Sequence, residues 1–254
     1  MHDPRKGARI SERDIAALTF IGEGYEVAQY QLHAAIFPNV SAVVVSHFVT
    51  RAVRNSWIAV ERWNRVGINR LRLTARGREV AVRRGVDPIS LFVPMRPVAT
   101  KDVAHTLWIN DVRIALRNSG AQFDVVLAAW QLQRRMTPSP VAIPDVLGVR
   151  RCSNQLTRHV FVAEIDLGGE GLVGRFLPKL RKLSRLVLEW SEGDAATLLV
   201  LTSSARRAAT IKAIAGSERI SLDAVALPEV AGASGLKTVH ELVGRALERS
   251  VKSS

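Results

Sequence analysis

Residues 160–183 read VFVAEIDLGGEGLVGRFLPKLRKL, and the opening of this stretch decides the fold. Val160, Phe161, Val162 and Ala163 are apolar on both faces, the mark of a strand inside a sheet. Glu164 and Asp166 follow two residues apart, so their side chains share one face. A buried element therefore ends on two adjacent carboxylates. Lys179 and Lys182 come shortly after, on a stretch whose apolar residues recur at helical spacing.

From about residue 100 the surrounding sequence alternates between strand and helix patterns. A helix is expected through DVAHTLWINDVRIALRNSG, then strands in FDVVLAAW, IPDVLGVR and RHVFVAEID. A helix follows in GLVGRFLPKLRKLSRLVLEW, then strand ATLLVLT, helix ARRAATIKAIAG, strand LDAVALP and an amphipathic helix LKTVHELVGRALERS. The order α-β-β-β-α-β-α-β-α implies a mixed sheet covered by helices. Upstream, residues 1–86 read as a separate helical unit with a hairpin, so the expected class is α+β. Residues 87–100, with Pro88, Pro94 and Pro97, are the linker candidate.

The 254 residues include 36 Lys and Arg against 23 Asp and Glu, a net charge of +13. Such a field attracts polyanions, and the excess of Arg over Lys suits bidentate phosphate contacts. An Arg-favouring genome would give the same bias. No apolar run is long enough to span a bilayer, so no membrane partner is expected. The charged start MHDPRKGARISERD lacks the apolar centre of a secretory signal, and the single Cys152 suits a reducing cytoplasm. One cysteine and six scattered histidines exclude a zinc-finger ligand set.

In the first unit, Ser11 is a candidate N-cap for a helix in ERDIAALTFIG, and a second helix runs through VAQYQLHAAIF. After Pro38-Asn39 a third helix starts near Ser41, with Val45, Val49, Ala52 and Val53 expected inward. WIAVERW and NRLRLT form a hairpin, and ARGREVAVRRG closes the unit as a short basic helix. Three helices and a hairpin make the winged-helix layout, whose third helix enters the major groove. The candidate DNA-binding residues are Ser41, Ser46, His47, Arg51 and Arg54 on that helix, with Arg70, Arg72, Arg76 and Arg78 on the wing. Arg70 and Arg72 alternate with Leu71 and Leu73, which puts both guanidinium groups on one face.

In the second unit, Asp145 stands in the PD of IPDVLGVR at the start of one strand, and Glu164 and Asp166 end the next. If those strands are antiparallel, three carboxylates meet. Crowded anions need a cation, and Mg²⁺ with oxygen ligands is the natural one, assisted by Lys179. Helix, three-strand meander, acids on the second and third strands: this is similar to the PD-(D/E)xK nuclease pattern, with Lys179 replacing the lysine otherwise expected at Asp166. The candidate catalytic residues are Asp145, Glu164, Asp166 and Lys179, and the first three are the candidate metal ligands.

Both patterns together resemble the replication-relaxation family of plasmid and integrative-element proteins, which join a winged helix to a nuclease-like domain. The matching phrases are RDIAALTFIG, RLRLTARGRE, HTLWINDVRIAL, IPDVLGV, FVAEIDLGGE and PKLRKL. The resemblance falls on Asp145, Glu164, Asp166, Glu170 and Lys179. The chain departs from the family pattern at Gly169, at Leu183, and at Gln131 and Gln133, where a glutamate is expected. The resemblance implies a DNA-binding protein acting in replication, transfer or their control. Two alternatives stand beside it: a Mg²⁺-dependent nuclease or nickase, and a transcriptional regulator whose α/β half dimerises. Expected partners are duplex DNA, a second copy of the chain, and replication or transfer proteins. DNA binding as such requires no cofactor. Trp108, Trp130 and Trp190 are expected in the core, and His105 is expected as a helix residue rather than a ligand.

Overall fold

The computed structural model of the protein describes residues 10–63, 67–136, 142–151, 158–168, 171–191, 195–228 and 231–252. The chain is α+β and divides into two units, Met1–Thr100 and Lys101–Ser254. Cys152 and Glu170 lie outside the described residues.

The first unit runs α1 (Glu12–Glu23), β1 (Val27–Ala28), α2 (Gln29–Ile36), α3 (Ala42–Arg54), β2 (Ile58–Trp63), β3 (Ile68–Leu73) and α4 (Ala75–Val82). Ser11 caps α1: its hydroxyl accepts from Asp14 N–H at 3.2 Å, and Asp14 Oδ2 accepts from Ser11 N–H at 2.9 Å. This reciprocal pair satisfies two of the helix's orphan donors. The strands form an antiparallel sheet in the order β1-β3-β2. On α3, Val45, Phe48, Val49 and Ala52 are buried, the i, i+3, i+4, i+7 stripe of a helix against a core. Val53 was expected inward but is 44% exposed; it lies one residue, about 100° of helical turn, beyond Ala52. At the start of α4, Thr74 Oγ1 accepts from Gly77 N–H at 3.0 Å. A Cβ on Gly77 would meet the Trp57 carbonyl oxygen at 2.0 Å, so only glycine lets α4 approach that close.

The stretch expected as a linker packs on this unit instead. Leu91 is buried, Phe92 N–H donates to Gly22 O at 2.9 Å, and the Phe92 ring stacks on Tyr25 at 4.4 Å. Apolar side chains among its prolines supply the burial that a free connector lacks.

The second unit runs α5 (Val103–Asn118), β4 (Val125–Ala128), α6 (Ala129–Arg135), β5 (Val146–Arg151), β6 (Arg158–Asp166), α7 (Leu177–Ser191), β7 (Ala195–Thr202), α8 (Ala205–Ser217), β8 (Asp223–Ala226) and α9 (Ala233–Lys252). The sheet order β4-β5-β6-β7-β8 follows the chain, antiparallel from β4 to β6 and parallel from β6 to β8. This is the expected mixed sheet, with α6 added after β4. Val160 and Val162 pack with Leu183 and Val187 of α7 and Leu198 of β7. On the opposite face Phe161 meets Phe123 edge-on, and Gly148 lies close beneath Phe123 and Leu116 of α5. Trp108 is buried, whereas Trp130 and Trp190 are half-buried, Trp190 packing beside Leu183 and Val187.

Substituting Gly77→Ala tests the close approach in the first unit. Overpacking against a backbone carbonyl is expected to cost about 1–3 kcal/mol, read as a lowered midpoint in chemical denaturation. A midpoint equal to wild type contradicts the packing described.

Candidate functional site

The second unit gathers its ionisable side chains where β5 begins and β6 ends. Val146 pairs with Ala163 across the antiparallel ladder, so the next step outward sets Asp145 opposite Glu164. Directly opposed residues share a face. Asp145 Oδ2 also accepts from Ile165 N–H at 2.8 Å, which extends the ladder through a side chain. Asp145 and Glu164 are both buried. Lys179, from the first turn of α7, donates to Glu164 Oε1 and forms an ion pair with it. His105, from the first turn of α5, lies with its Nε2 3.1 Å from Asp145 Oδ2. Four side chains from four elements thus meet at one end of the sheet.

The electrostatics follow from the crowding. Burial pushes the Glu164 carboxyl up to about 8, and the Asp145 charge adds to the effect; the Lys179 ammonium opposes it without cancelling it. Burial works against the charged form of His105, but the hydrogen bond and charge of Asp145, with the charge of Glu164, outweigh it and raise that pKa. The site sets two carboxyl groups against an ammonium and an imidazole, and the protonation of Glu164 and of His105 depends on the groups around them.

Asp166 was expected as a third ligand, and the structure commits it elsewhere. Its carboxylate accepts from Arg207 of α8, by Nε and by Nη2, the latter at 2.9 Å, and from Gly168 N–H at 3.0 Å. A carboxylate already holding a guanidinium by two hydrogen bonds is a poor third ligand for a cation. Lys182 is exposed. Gln131 is buried, and its Oε1 accepts from Ala128 N–H at 3.0 Å; it therefore serves the first turn of α6.

Two carboxylates suit Mg²⁺, which binds through one or two such groups and keeps several waters. Glu164 Oε2 is buried and has no hydrogen-bond partner among the described residues, which leaves a hard oxygen for an ion. Among the described residues no group of three His, Cys, Asp or Glu side chains is placed to hold a metal. Asp145 and Glu164 are therefore the residues that could hold such an ion, a smaller set than the three carboxylates expected from sequence. His105 is the participant that sequence reasoning set aside. Its place in the helix just before the meander was visible, but its pairing with a residue 40 positions away was not.

In the first unit the wing requires corrections. Arg70 is buried: Nη1 donates to Glu26 Oε2 at 2.9 Å and to Val98 O at 3.3 Å, and Nη2 lies 3.2 Å from Glu61 Oε2. It is an internal ion pair, because Glu26, Glu61 and the segment reaching Val98 lie against it. Burial raises the Glu26 pKa, while the Val98 N–H and Arg70 lower it. Arg72 is half-buried. Arg51 pairs with the buried Asp14 of α1, so its guanidinium is partly engaged in tying α3 to α1. Ser41, Ser46, His47, Arg54, Arg76 and Arg78 are exposed. Ser46 Oγ accepts from Gln29 Nε2 at 3.0 Å, and Arg78 donates to Pro88 O at 3.2 Å. Val43 and Thr50, not singled out in the sequence, share the outward stripe with His47 and Arg54 at i, i+4, i+7 and i+11. Phasing the helix on Phe48 instead of Val53 would have found them.

No protein-family model matches the chain, and no curated protein matches it. Among solved structures, that titled "Crystal structure of protein VC1899 from Vibrio cholerae" is similar at a TM-score of 0.34 and 12% sequence identity. The match covers 95% of this chain and 58% of that one, so the chain spans less than two thirds of that protein's length. No helix among the described residues is long and apolar enough to cross a membrane.

The raised Glu164 pKa carries a stability prediction. Without divalent ions, the folded state keeps the Glu164 proton between the ordinary carboxylate range and about pH 8, while the unfolded chain loses it. Folding stability must then fall as pH rises through that window. Urea denaturation from pH 5 to 9 should show a shallower fall in Glu164→Gln than in wild type. Parallel curves contradict the assignment.

Proposed function

We propose that the protein is a DNA-binding protein of a plasmid or integrative element, of the replication-relaxation kind, that grips duplex DNA through a winged helix in its first unit. The observation that carries this reading is α3: its inward stripe is packed, and its outward stripe of Val43, His47, Thr50 and Arg54 is exposed along about three turns. The order α1-β1-α2-α3-β2-β3, with a three-stranded antiparallel sheet, matches the layout in which the third helix docks in the major groove. The chain's net charge of +13 supplies the field that draws a polyanion, and Arg76 and Arg78 are exposed just past the hairpin. Arg70 is removed from the contact set and Arg51 reduced to a shared role.

A second reading, a Mg²⁺-dependent nuclease or nickase, is favoured by one specific arrangement: Asp145 opposite Glu164 with Lys179 against the latter. Asp145 and Glu164 would hold the ion, which when bound would supply charge neutralisation and an activated water for phosphodiester hydrolysis. Lys179 stands where it can stabilise charge on a phosphate, and His105 orients Asp145. Asp166 takes no part in this version of the site. A cytoplasmic location and partners from replication or transfer belong with these proposals.

Binding of a 30-base-pair duplex, followed by fluorescence anisotropy with and without Mg²⁺, tests the first reading. Nicking of supercoiled plasmid in the same buffers tests the second. Arg54→Ala is expected to weaken duplex binding about tenfold, while Asp145→Ala retains it and loses any Mg²⁺-dependent nicking. A wild-type protein that binds no duplex overturns the first reading. Nicking that persists in Asp145→Ala overturns the second.

A further inference from the structure

We infer that the outward face of α3 reads thymine methyl groups, so that the first unit prefers A·T-rich duplex; this rests on the DNA-binding reading proposed above. The first turn of a groove-docking helix is the part that meets base edges. In α3 that turn carries no charge: Ala42, Val43 and Val44 follow the exposed Ser41, with Val43 59% and Val44 40% exposed. The next outward position toward the C-terminus is His47, then Thr50, and a cation is reached only at Arg51 and Arg54. Arg51 is held on Asp14, which leaves Arg54 at the far end of the stripe.

Guanine recognition commonly uses arginine or lysine set bidentate on O6 and N7, and adenine recognition uses Asn or Gln on N6 and N7. Exposed α3 residues offer no Lys, Asn or Gln in the first three turns. Beside Ser46 and His47, what the face offers is aliphatic: the two methyls of Val43, those of Val44 on one flank, and the single methyl of Thr50. The one major-groove feature that rewards aliphatic contact is the C5-methyl of thymine.

The surroundings fit the same occupant. Beside the first turns of α3 a cavity of about 310 Å³ is lined by Gln29, Tyr30, His33, Ala42 and Val45, with the hairpin residues 67–69 closing it. His33 is used internally, its Nε2 2.8 Å from Val40 O. Gln29 is tied to Ser46 and to Asn69 Nδ2, which donates to it at 3.2 Å. These amides therefore brace helix and hairpin. Arg54 is exposed at the C-terminal end of α3, and Arg76 and Arg78 are exposed at the start of α4, whose Gly77 lies against Trp57 just past that end, so cations that could meet phosphate lie beyond the apolar first turn. A protein partner would also accept exposed valines, but a polyanion also answers the chain's net charge of +13 and the exposed Arg54 on the same helix.

The test compares a 24-base-pair alternating A·T duplex with the same duplex in which every thymine is replaced by deoxyuridine, which removes the methyl and nothing else. Anisotropy titration should give about fourfold tighter binding per buried methyl, and an alternating G·C duplex should bind no better than the uracil one. In the double variant Val43→Ala, Thr50→Ser the thymine-to-uracil ratio should fall to about one, with thermal melting reporting that the fold is kept. Equal affinity of wild type for the thymine and uracil duplexes, in a protein that still binds both, overturns the inference and leaves the DNA-binding reading standing. Binding to no duplex at all removes both. A dimer in sedimentation that dissociates in Val43→Ala, with no duplex bound, assigns the face to a second copy and overturns it too.

Discussion

A strand buried on both faces cannot end in carboxylates without something to answer their charge, and the second unit is arranged around that constraint. β6 is closed in by β5 on one side and β7 on the other, with α7 against one face and α5 against the opposite one. Glu164 and Asp166 reach the end of this strand facing the same way, and each is met separately. Lys179 from α7 meets Glu164, and Arg207 from α8 meets Asp166. Desolvation makes such pairs costly to form and more costly to break. Sharing the anions between two helices also separates them functionally. The Glu164 end keeps an oxygen with no partner among the described residues and has Asp145 for a neighbour, while the Asp166 end is closed.

The first unit is governed by a different constraint, the phase of one helix. Once Val45, Phe48, Val49 and Ala52 turn inward, every other residue of α3 has its direction assigned. The wing behaves likewise. Leu71 and Leu73 bury themselves, and Arg70 and Arg72, which alternate with them, turn to the other face. That face is not open, because Glu26, Glu61 and the segment reaching Val98 lie over Arg70. Positive charge on a strand is therefore no measure of positive charge on the surface. Exposed cations of this unit lie on α3 and α4, and also at Arg13 of α1, Arg62 of β2, Arg84 and Arg96.

Strands and helices of the second unit were legible because their patterns are local. RHVFVAEID became β6 over its full length, and the helix carrying Lys179 appeared where its apolar spacing put it. α6 escaped because AAW continues the apolar run of β4, so strand and helix share one unbroken signal. The two-residue β1 is too short to leave a period. The meeting of Asp145 and Glu164 was readable from the order of strands, since an antiparallel pair brings start and end together. What sequence could not show were the long-range partners: His105 on Asp145, Arg207 on Asp166, Asp14 on Arg51, Glu26 on Arg70. Each joins residues more than 35 positions apart, where no local spacing rule reaches.

The account stands on the claim that α3 and the start of α4 face a duplex. Its most direct measurement is the dependence of duplex affinity on salt for the wild type and for a double Arg54→Ala, Arg76→Ala variant. Each lost phosphate contact should make the slope of log affinity against log salt shallower by about one. The account predicts a linear fall for the wild type and a slope shallower by about two in the variant. Identical slopes, or affinity that ignores salt, would contradict it.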